Sequence, residues 1–218
     1  MRNSVLVLVS ILGMTCLGAP AAASDVSGLC SGSASLSNGQ WARYAADAPF
    51  MKEKVESRYA IVGTEAGHYW MEFEAAMPMG NGAMIFKFLI SGWPFPEGSI
   101  KQAIMQKPRI PGTDSISPME MPPGGVQKDN LSEPIRMACE EMEKGVQESV
   151  TVPAGTFSAT RIPLRRLGKD IWLSSSVPFG IVKLVDADDK GMELIAFGSD
   201  AKPAITEMSQ KLPGMEQQ

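Results

Sequence analysis

The chain contains a single histidine, His68, and only three cysteines among its 218 residues. A serine or cysteine nucleophile normally needs a histidine base beside it, and zinc needs three or four His, Cys or acidic ligands at matching spacings. No serine lies in a G-x-S-x-G motif, and no glycine-rich phosphate loop follows any strand-like run. The sequence therefore argues against an enzymatic function, and we expect no catalytic residue, no metal and no cofactor.

Basic residues are also scarce relative to acidic ones. Lys and Arg number 20 against 24 Asp and Glu, which gives a formal net charge of −4. Phosphate binding needs clustered Lys and Arg, so this balance argues against a nucleic-acid partner. Beyond the N-terminus no apolar run approaches about 18 residues, so we expect no transmembrane anchor in the mature chain. The oligomeric state stays open.

The first 23 residues have the layout of a secretory signal peptide. Met1–Ser4 carries positive charge, Val5–Leu17 is apolar and uncharged, and Ala21–Ala23 supplies small residues for cleavage. The apolar run is too short to span a bilayer. We therefore expect export to the bacterial periplasm, with secretion as the alternative.

Removal of residues 1–23 also removes Cys16, so the mature chain keeps only Cys30 and Cys139. In an oxidising compartment an isolated pair is most simply one disulfide. The alternative is two separate buried thiols. The disulfide is the favoured prediction, and it would tie the N-terminal segment to the middle of the chain.

The mature chain is about 195 residues long, a length that fits one domain. Residues 24–38 are rich in Ser and Gly and predict a flexible segment tied down only at Cys30. Residues 39–200 predict a single β domain with a Pro-rich insertion at 91–134. For the tail, residues 201–218, we predict a short helix followed by a frayed end.

Short strand-like runs separated by turn residues dominate the chain. The clearest is His68–Ala75, where alternation puts Tyr69, Met71 and Phe73 on one face. A short helical turn is expected around Glu133–Lys144. The prediction is a mainly β fold: a single curved antiparallel sheet or incomplete barrel of about ten strands, with little helix. The ten strands are Gln40–Ala45, Val55–Val62, His68–Ala75, Ala83–Ile90, Ile100–Lys107, Val146–Val152, Thr156–Leu164, Lys169–Ser174, Phe179–Asp186 and Met192–Phe197.

Methionine is abundant, with 15 in the chain, and several lie close in sequence to aromatic residues. Methionine adapts to varied apolar partners, and Ala83–Ile90 is largely apolar on both faces. The simpler interpretation of these features is an ordinary core with irregular gaps; the alternative, which the leading hypothesis below adopts, is a hydrophobic ligand cavity. The candidate ligand-binding residues are Trp70, Phe73, Met84, Phe86, Phe88 and Trp93. The methionines nearest to them are Met71, Met77, Met79, Met105, Met119 and Met121.

The segment Val150–Phe157 (VTVPAGTF) is followed by three others: Asp170–Ser174 (DIWLS), Val177–Lys183 (VPFGIVK) and Glu193-Leu194. This stretch, residues 150–197, resembles uncharacterised exported bacterial proteins that are similar to the LolA/LolB-like lipoprotein-carrier superfamily. The resemblance implies a curved antiparallel sheet whose concave apolar face, partly closed by helices or loops, holds acyl chains. It carries no catalytic motif and implies no functional residue.

Three hypotheses follow. The leading one is a non-enzymatic exported protein that binds an apolar ligand, a lipid or a lipidated protein, in a curved β-sheet. The second is an envelope interaction module that meets a protein partner through the Pro-rich segment 91–134. The weakest is a hydrolase using carboxylates such as Glu72. Glu72 shares a strand face with Glu74, and both are expected to be solvated.

Overall fold

The computed structural model of the chain describes residues 26–32, 34–48, 53–77, 82–96, 98–108, 117–122 and 132–210. The predicted signal peptide, residues 1–23, lies outside these ranges. The helices are α1 (Ser27–Cys30) and α2 (Ser132–Glu140), and a 3-10 turn at Met142–Lys144 follows α2. The strands are β1 (Trp41–Ala46), β2 (Val55–Glu65), β3 (His68–Ala76), β4 (Ala83–Ile90), β5 (Gln102–Gln106), β6 (Met119–Met121), β7 (Val146–Val152), β8 (Gly155–Leu164), β9 (Lys169–Leu173), β10 (Ile181–Asp186) and β11 (Gly191–Gly198).

All the described strands belong to one antiparallel sheet, in the order β6-β5-β4-β3-β2-β1-β11-β10-β9-β8-β7. The sheet is not closed, and the prediction of a mainly β fold built on one antiparallel sheet is confirmed. Each predicted strand overlaps an observed one, and β6 is an eleventh strand. Neither helix in the described part of the chain is long and apolar enough to cross a membrane.

The hairpin between β2 and β3 sets the register of the half of the sheet formed by β1–β6. Ala66 and Gly67 both have positive φ, 48° and 78°, as a two-residue type I′ turn requires. The register then runs from Glu65 opposite His68 to Ser57 opposite Ala75, with one shift between Ile61 and Gly63. Side chains directly opposite each other share a face of the sheet. We call the face that carries Tyr59 and Phe73 the inner face and the other the outer face.

The disulfide between Cys30 and Cys139 is present, as predicted, with an S–S distance of 2.02 Å. It joins α1 to α2, and α2 packs against β8. The segment around α1 has further anchors, because Leu29 and Leu36 are buried in the main hydrophobic core. The segment around α1 is therefore held by core packing as well as by the disulfide at Cys30.

The half of the sheet formed by β7–β11 rolls back on itself. Strand β7 contacts β10 and β11, although β8 and β9 lie between β7 and β10 in the sheet order. The backbone N–H of Ala154, in the turn after β7, donates to the carbonyl of Leu194 in β11 at 3.2 Å. The ring of Phe157 lies 5.9 Å from that of Phe197. The curvature that the sequence predicted is therefore concentrated at this end.

Tyr44 lies at the centre of the sheet, in β1, and is fully buried. Its hydroxyl donates to the carbonyl of Ile181, at the start of β10, at 3.1 Å. Burial, with a smaller contribution from Tyr59, raises the pKa of Tyr44. The buried hydroxyl therefore stays protonated and ties β1 to the rolled half of the sheet.

The C-terminal segment Asp200–Gln210, which we call the strap, crosses the outer face from β1 to β6. Residues 201–210 of the strap form no helix, and residues 211–218 of the predicted tail lie outside the described residues. At its start Trp41 Nε1 donates to Asp200 at 2.7 Å. At its end Gln210 forms a parallel bridge with Met119 in β6. The strap thus covers one edge of the sheet, which is how native sheets limit edge-to-edge association.

The middle of the strap is held by Glu72, whose side chain is only 2% exposed. Its carboxylate accepts the backbone N–H groups of Ala204 at 2.8 Å and Ile205 at 3.1 Å. Lys87 Nζ lies 3.7 Å from the same carboxylate and donates to the Ile205 carbonyl at 3.2 Å. The expectation that Glu72 is solvated is wrong, because a segment more than 130 residues away in sequence covers it.

The Trp41–Asp200 contact predicts a pH dependence. The hydrogen bond from Trp41 is the main cause of a lowered pKa at Asp200. A lowered folded-state pKa adds stability above the unfolded value of about 3.9, and this stability is lost as pH falls through the folded value. Asp200→Asn keeps an acceptor oxygen but cannot titrate. We expect the stability advantage of the wild type over this variant to shrink below about pH 4.

Urea unfolding between pH 6 and pH 2.5, followed by tryptophan fluorescence, measures that difference. The control is Glu207→Gln, which removes an exposed strap carboxylate that has no hydrogen-bond partner within the described residues. A wild-type advantage over Asp200→Asn that stays constant across this range would contradict the assignment.

Candidate ligand-binding face

A continuous chain of aromatic rings runs through the molecule along the inner face. It begins in the buried core, where Trp93 packs edge-on against Phe179 with ring centroids 5.2 Å apart. Phe179 contacts Tyr59 at 6.1 Å, and Tyr59 stacks on Phe73 at 4.7 Å. Phe73, Phe86 and Phe88 continue the chain with stacked rings 6.1 and 6.2 Å apart. Contacts of this geometry stabilise by about 0.5–1.5 kcal/mol each beyond area burial.

The rings of this chain differ in exposure. Trp93, Phe179 and Tyr59 are buried, with 1–6% of their surface exposed. Phe73 and Phe86, in β3 and β4, are only half-buried by the described residues, although both pack against the core. Large apolar side chains left partly exposed side by side are typical of a binding surface.

Methionines extend the half-buried surface towards the sheet edge. Met84 lies opposite Ala75, and Met105 lies opposite Phe86. In β6, Met119 lies opposite Met105 and Met121 opposite Ala103. All four methionines are half-buried. The inner faces of β3–β6 thus form one apolar surface, which we call the apolar face: Phe73, Met84, Phe86, Met105, Met119 and Met121.

The six candidate ligand-binding residues fall into three environments. Phe73, Met84, Phe86 and Phe88 lie together on the inner face, with Phe88 buried. Trp93 is 1% exposed in the core, and its Nε1 donates to the carbonyl of Phe179 at 3.0 Å. It is connected to the apolar face through the rings of Phe179 and Tyr59, and it does not line that face.

Trp70 is on the outer face, away from the other five. In β3 it alternates with Phe73 and Met71, so its ring points to the opposite side of the sheet. Its Nε1 donates to Glu65 at 2.9 Å, and Lys87 Nζ lies 5.4 Å from the ring centroid. A cation above a tryptophan ring is favourable. Trp70 therefore helps to hold the Lys87 side chain that binds the strap.

The chain matches no protein-family model, no curated protein and no solved structure. Any assignment of function therefore rests on the chemistry of the described surfaces.

The acidic residues of β3 do not form a pair facing across a cleft. Both oxygens of Glu72 accept backbone N–H groups of the strap. Glu74 lies 3.8 Å from Arg58, and its side chain is 38% exposed. His68 Nδ1 lies 3.0 Å from the carbonyl of Ala66, in the adjacent turn. Within the described residues, no group of three or more His, Cys, Asp or Glu is placed to hold a metal ion.

A separate pocket of about 390 Å³ lies at the sheet end where β4 finishes and β1 and β10 begin. Its apolar lining includes Leu36, Trp93 and Phe179, all buried. Exposed serines such as Ser35 and Ser175 also line the pocket, and none of the described lining residues is charged. Met84 is near the start of β4, so it lies at the opposite end of this strand from the pocket.

Two members of the ring chain were not among the predicted residues. Tyr59 lies directly opposite Phe73, and correct pairing of β2 with β3 would have revealed it. Phe179 precedes β10, more than 80 residues from Trp93, and no local pattern indicates their contact. Met105, Met119 and Met121 were recognised as abundant methionines, but only the register of β4–β6 brings them together.

Proposed function

We propose that the chain is an exported, non-enzymatic protein that holds an apolar ligand, such as the acyl chain of a lipid or lipidated protein, against the apolar face. The observation that carries the proposal is the set of half-buried rings and thioethers on adjacent strands β3–β6. Flat rings and flexible methionines suit a long apolar chain, because they present contact area without requiring one ligand shape.

The absence of charged side chains from the inner-face positions of β4–β6 supports the same proposal. The inner-face positions of β4, β5 and β6 carry only Ile, Ala, Met and Phe. A charged ligand group would find no charged partner at these inner-face positions, whereas burying a methylene group contributes about 0.8 kcal/mol. The surface therefore favours the apolar part of an amphipathic molecule.

The resemblance of residues 150–197 to the lipoprotein-carrier superfamily adds a second line of support. That resemblance implies a curved antiparallel sheet with a concave apolar face, and the observed sheet is antiparallel. The predicted signal peptide would deliver the protein to a compartment where apolar cargo must cross water.

Titration of the delipidated mature protein with a fatty acid carrying an environment-sensitive fluorophore tests the proposal. We expect saturable binding that Phe86→Ala weakens about tenfold, since burying a phenylalanine side chain contributes about 1.5–3 kcal/mol and 1.4 kcal/mol is tenfold in affinity. The matched control is Ile85→Ala, on the same strand but on the outer face opposite Glu74. Absence of saturable binding, or equal weakening by both variants, would reject the proposal.

A further inference from the structure

The soft metal-binding groups in the described part of the chain are unevenly distributed. Cys30 and Cys139 are joined in the disulfide, so neither offers a thiolate. His68 is at the start of β3, far along the strand from Phe73, which lies opposite Phe86. The remaining soft donors are methionine thioethers. Four of them belong to the apolar face: Met84, Met105, Met119 and Met121.

Met105 is the centre of this group. Met119 lies directly opposite it on β6, and Met121 is the diagonal neighbour on the same strand. On its other side Phe86 is directly opposite, and Met84 is the diagonal neighbour on β4. Directly opposite Cβ atoms are about 4.5–5.5 Å apart and diagonal ones up to about 7–8 Å. A methionine sulfur lies two bonds beyond Cβ on a flexible stem, so three thioethers can converge on one point beside Met105.

The side chains around Met105 determine which class of metal ion this surface can bind. Carboxylate and carbonyl oxygens suit Mg²⁺, Ca²⁺ and Mn²⁺, whereas thioethers are soft ligands that select Cu(I). The inner-face positions of β4–β6 carry no carboxylate, hydroxyl or imidazole. The Phe86 ring beside Met105 adds a face that attracts a cation.

We propose that Met105, Met119 and at least one of Met84 and Met121 form a thioether site for a single monovalent soft ion, Cu(I). Binding is ligand coordination without electron transfer, and the neutral thioethers release no proton. The site shares its four methionines with the apolar face proposed to hold the acyl ligand, but metal binding does not require that ligand. Leucine in place of methionine removes a sulfur but keeps an apolar side chain of similar volume, so a loss of metal binding in such a variant reports the missing thioether.

The test uses Ag(I), which shares the softness of Cu(I) and does not change oxidation state, in a chloride-free nitrate buffer. The mature protein, labelled with carbon-13 at its methionine methyl groups and with the disulfide intact, is titrated and followed by NMR. We expect saturation at one equivalent, with the largest shifts at the methyl groups of Met84, Met105, Met119 and Met121. Zn(II) at the same concentration should leave these signals unchanged.

Met105→Leu should weaken Ag(I) binding at least tenfold, with Met119→Leu as an independent second variant. Met208→Leu is the matched control, because Met208 is 93% exposed on the strap. A thermal melt of each variant that matches the wild type shows that the fold is kept. Wild-type affinity in both Met105→Leu and Met119→Leu, absence of saturation at one equivalent, or equal shifts with Zn(II) would overturn the proposal.

Discussion

Replacing Cys30 and Cys139 together with serine is expected to lower the free energy of unfolding by about 4–5 kcal/mol in the chain-entropy model. The two residues are 109 positions apart, so the disulfide closes a long loop in the unfolded chain. Domains of this kind are stable by only about 5–15 kcal/mol, so the loss is a large fraction of the total. The four-residue α1 cannot persist as an isolated helix and depends on its tether and on core packing.

Urea unfolding of the mature protein, with and without a reducing agent, measures this loss. The reduced wild type should have the same urea midpoint of unfolding as the double variant. The midpoint of the double variant should be the same with and without the reducing agent. A midpoint for the reduced wild type equal to that of the oxidised protein would contradict the prediction.

The strands were predictable because period-2 alternation and turn residues are local signals. The His68–Ala75 pattern located β3 within one residue, and the turn between β2 and β3 carries Gly67, as its backbone requires. Strand β6 was missed because three residues are too few to show a period. Its place in the sheet depends on pairing with β5 and on the strap, both of which are non-local.

The candidate site was partly predictable by the same logic. Alternation in β3 already separates Trp70 from Phe73, so strand periodicity alone would have excluded Trp70 from an inner-face site. Trp93 was chosen as an aromatic residue near Phe88, but its hydrogen bond to Phe179 depends on a loop 86 residues away. Residue type indicated an apolar surface, whereas its position depended on register across four strands.

Glu72 illustrates what a single strand cannot reveal. Its neighbours in β3 give the pattern of a half-solvated strand, and nothing local distinguishes it from Glu74. The difference comes from the strap, whose backbone N–H groups require an acceptor once they are buried. The buried carboxylate in turn requires Lys87, whose side chain is 15% exposed.

Glu72→Ala is therefore expected to cost about 3–5 kcal/mol of unfolding free energy, the range seen when one partner of a buried ion pair is removed. The variant leaves Lys87 without its buried counter-charge and leaves the N–H groups of Ala204 and Ile205 without an acceptor. Glu72→Gln keeps one acceptor oxygen but turns an amide NH₂ towards an N–H donor, so an intermediate loss is expected.

Glu74→Ala is the matched control, because Glu74 is on the same face of β3 and its contact with Arg58 is partly exposed to solvent. Exposed pairs of this kind contribute about 0–1 kcal/mol, so this variant should unfold close to the wild type. Hydrogen exchange separates release of the strap from global unfolding: in Glu72→Ala the amides of Ala204 and Ile205 should lose protection more than those in the centre of β1. Equal costs for the two alanine variants would show that the buried carboxylate does not hold the strap, which would then depend on Ile205 packing and on the contacts at its two ends.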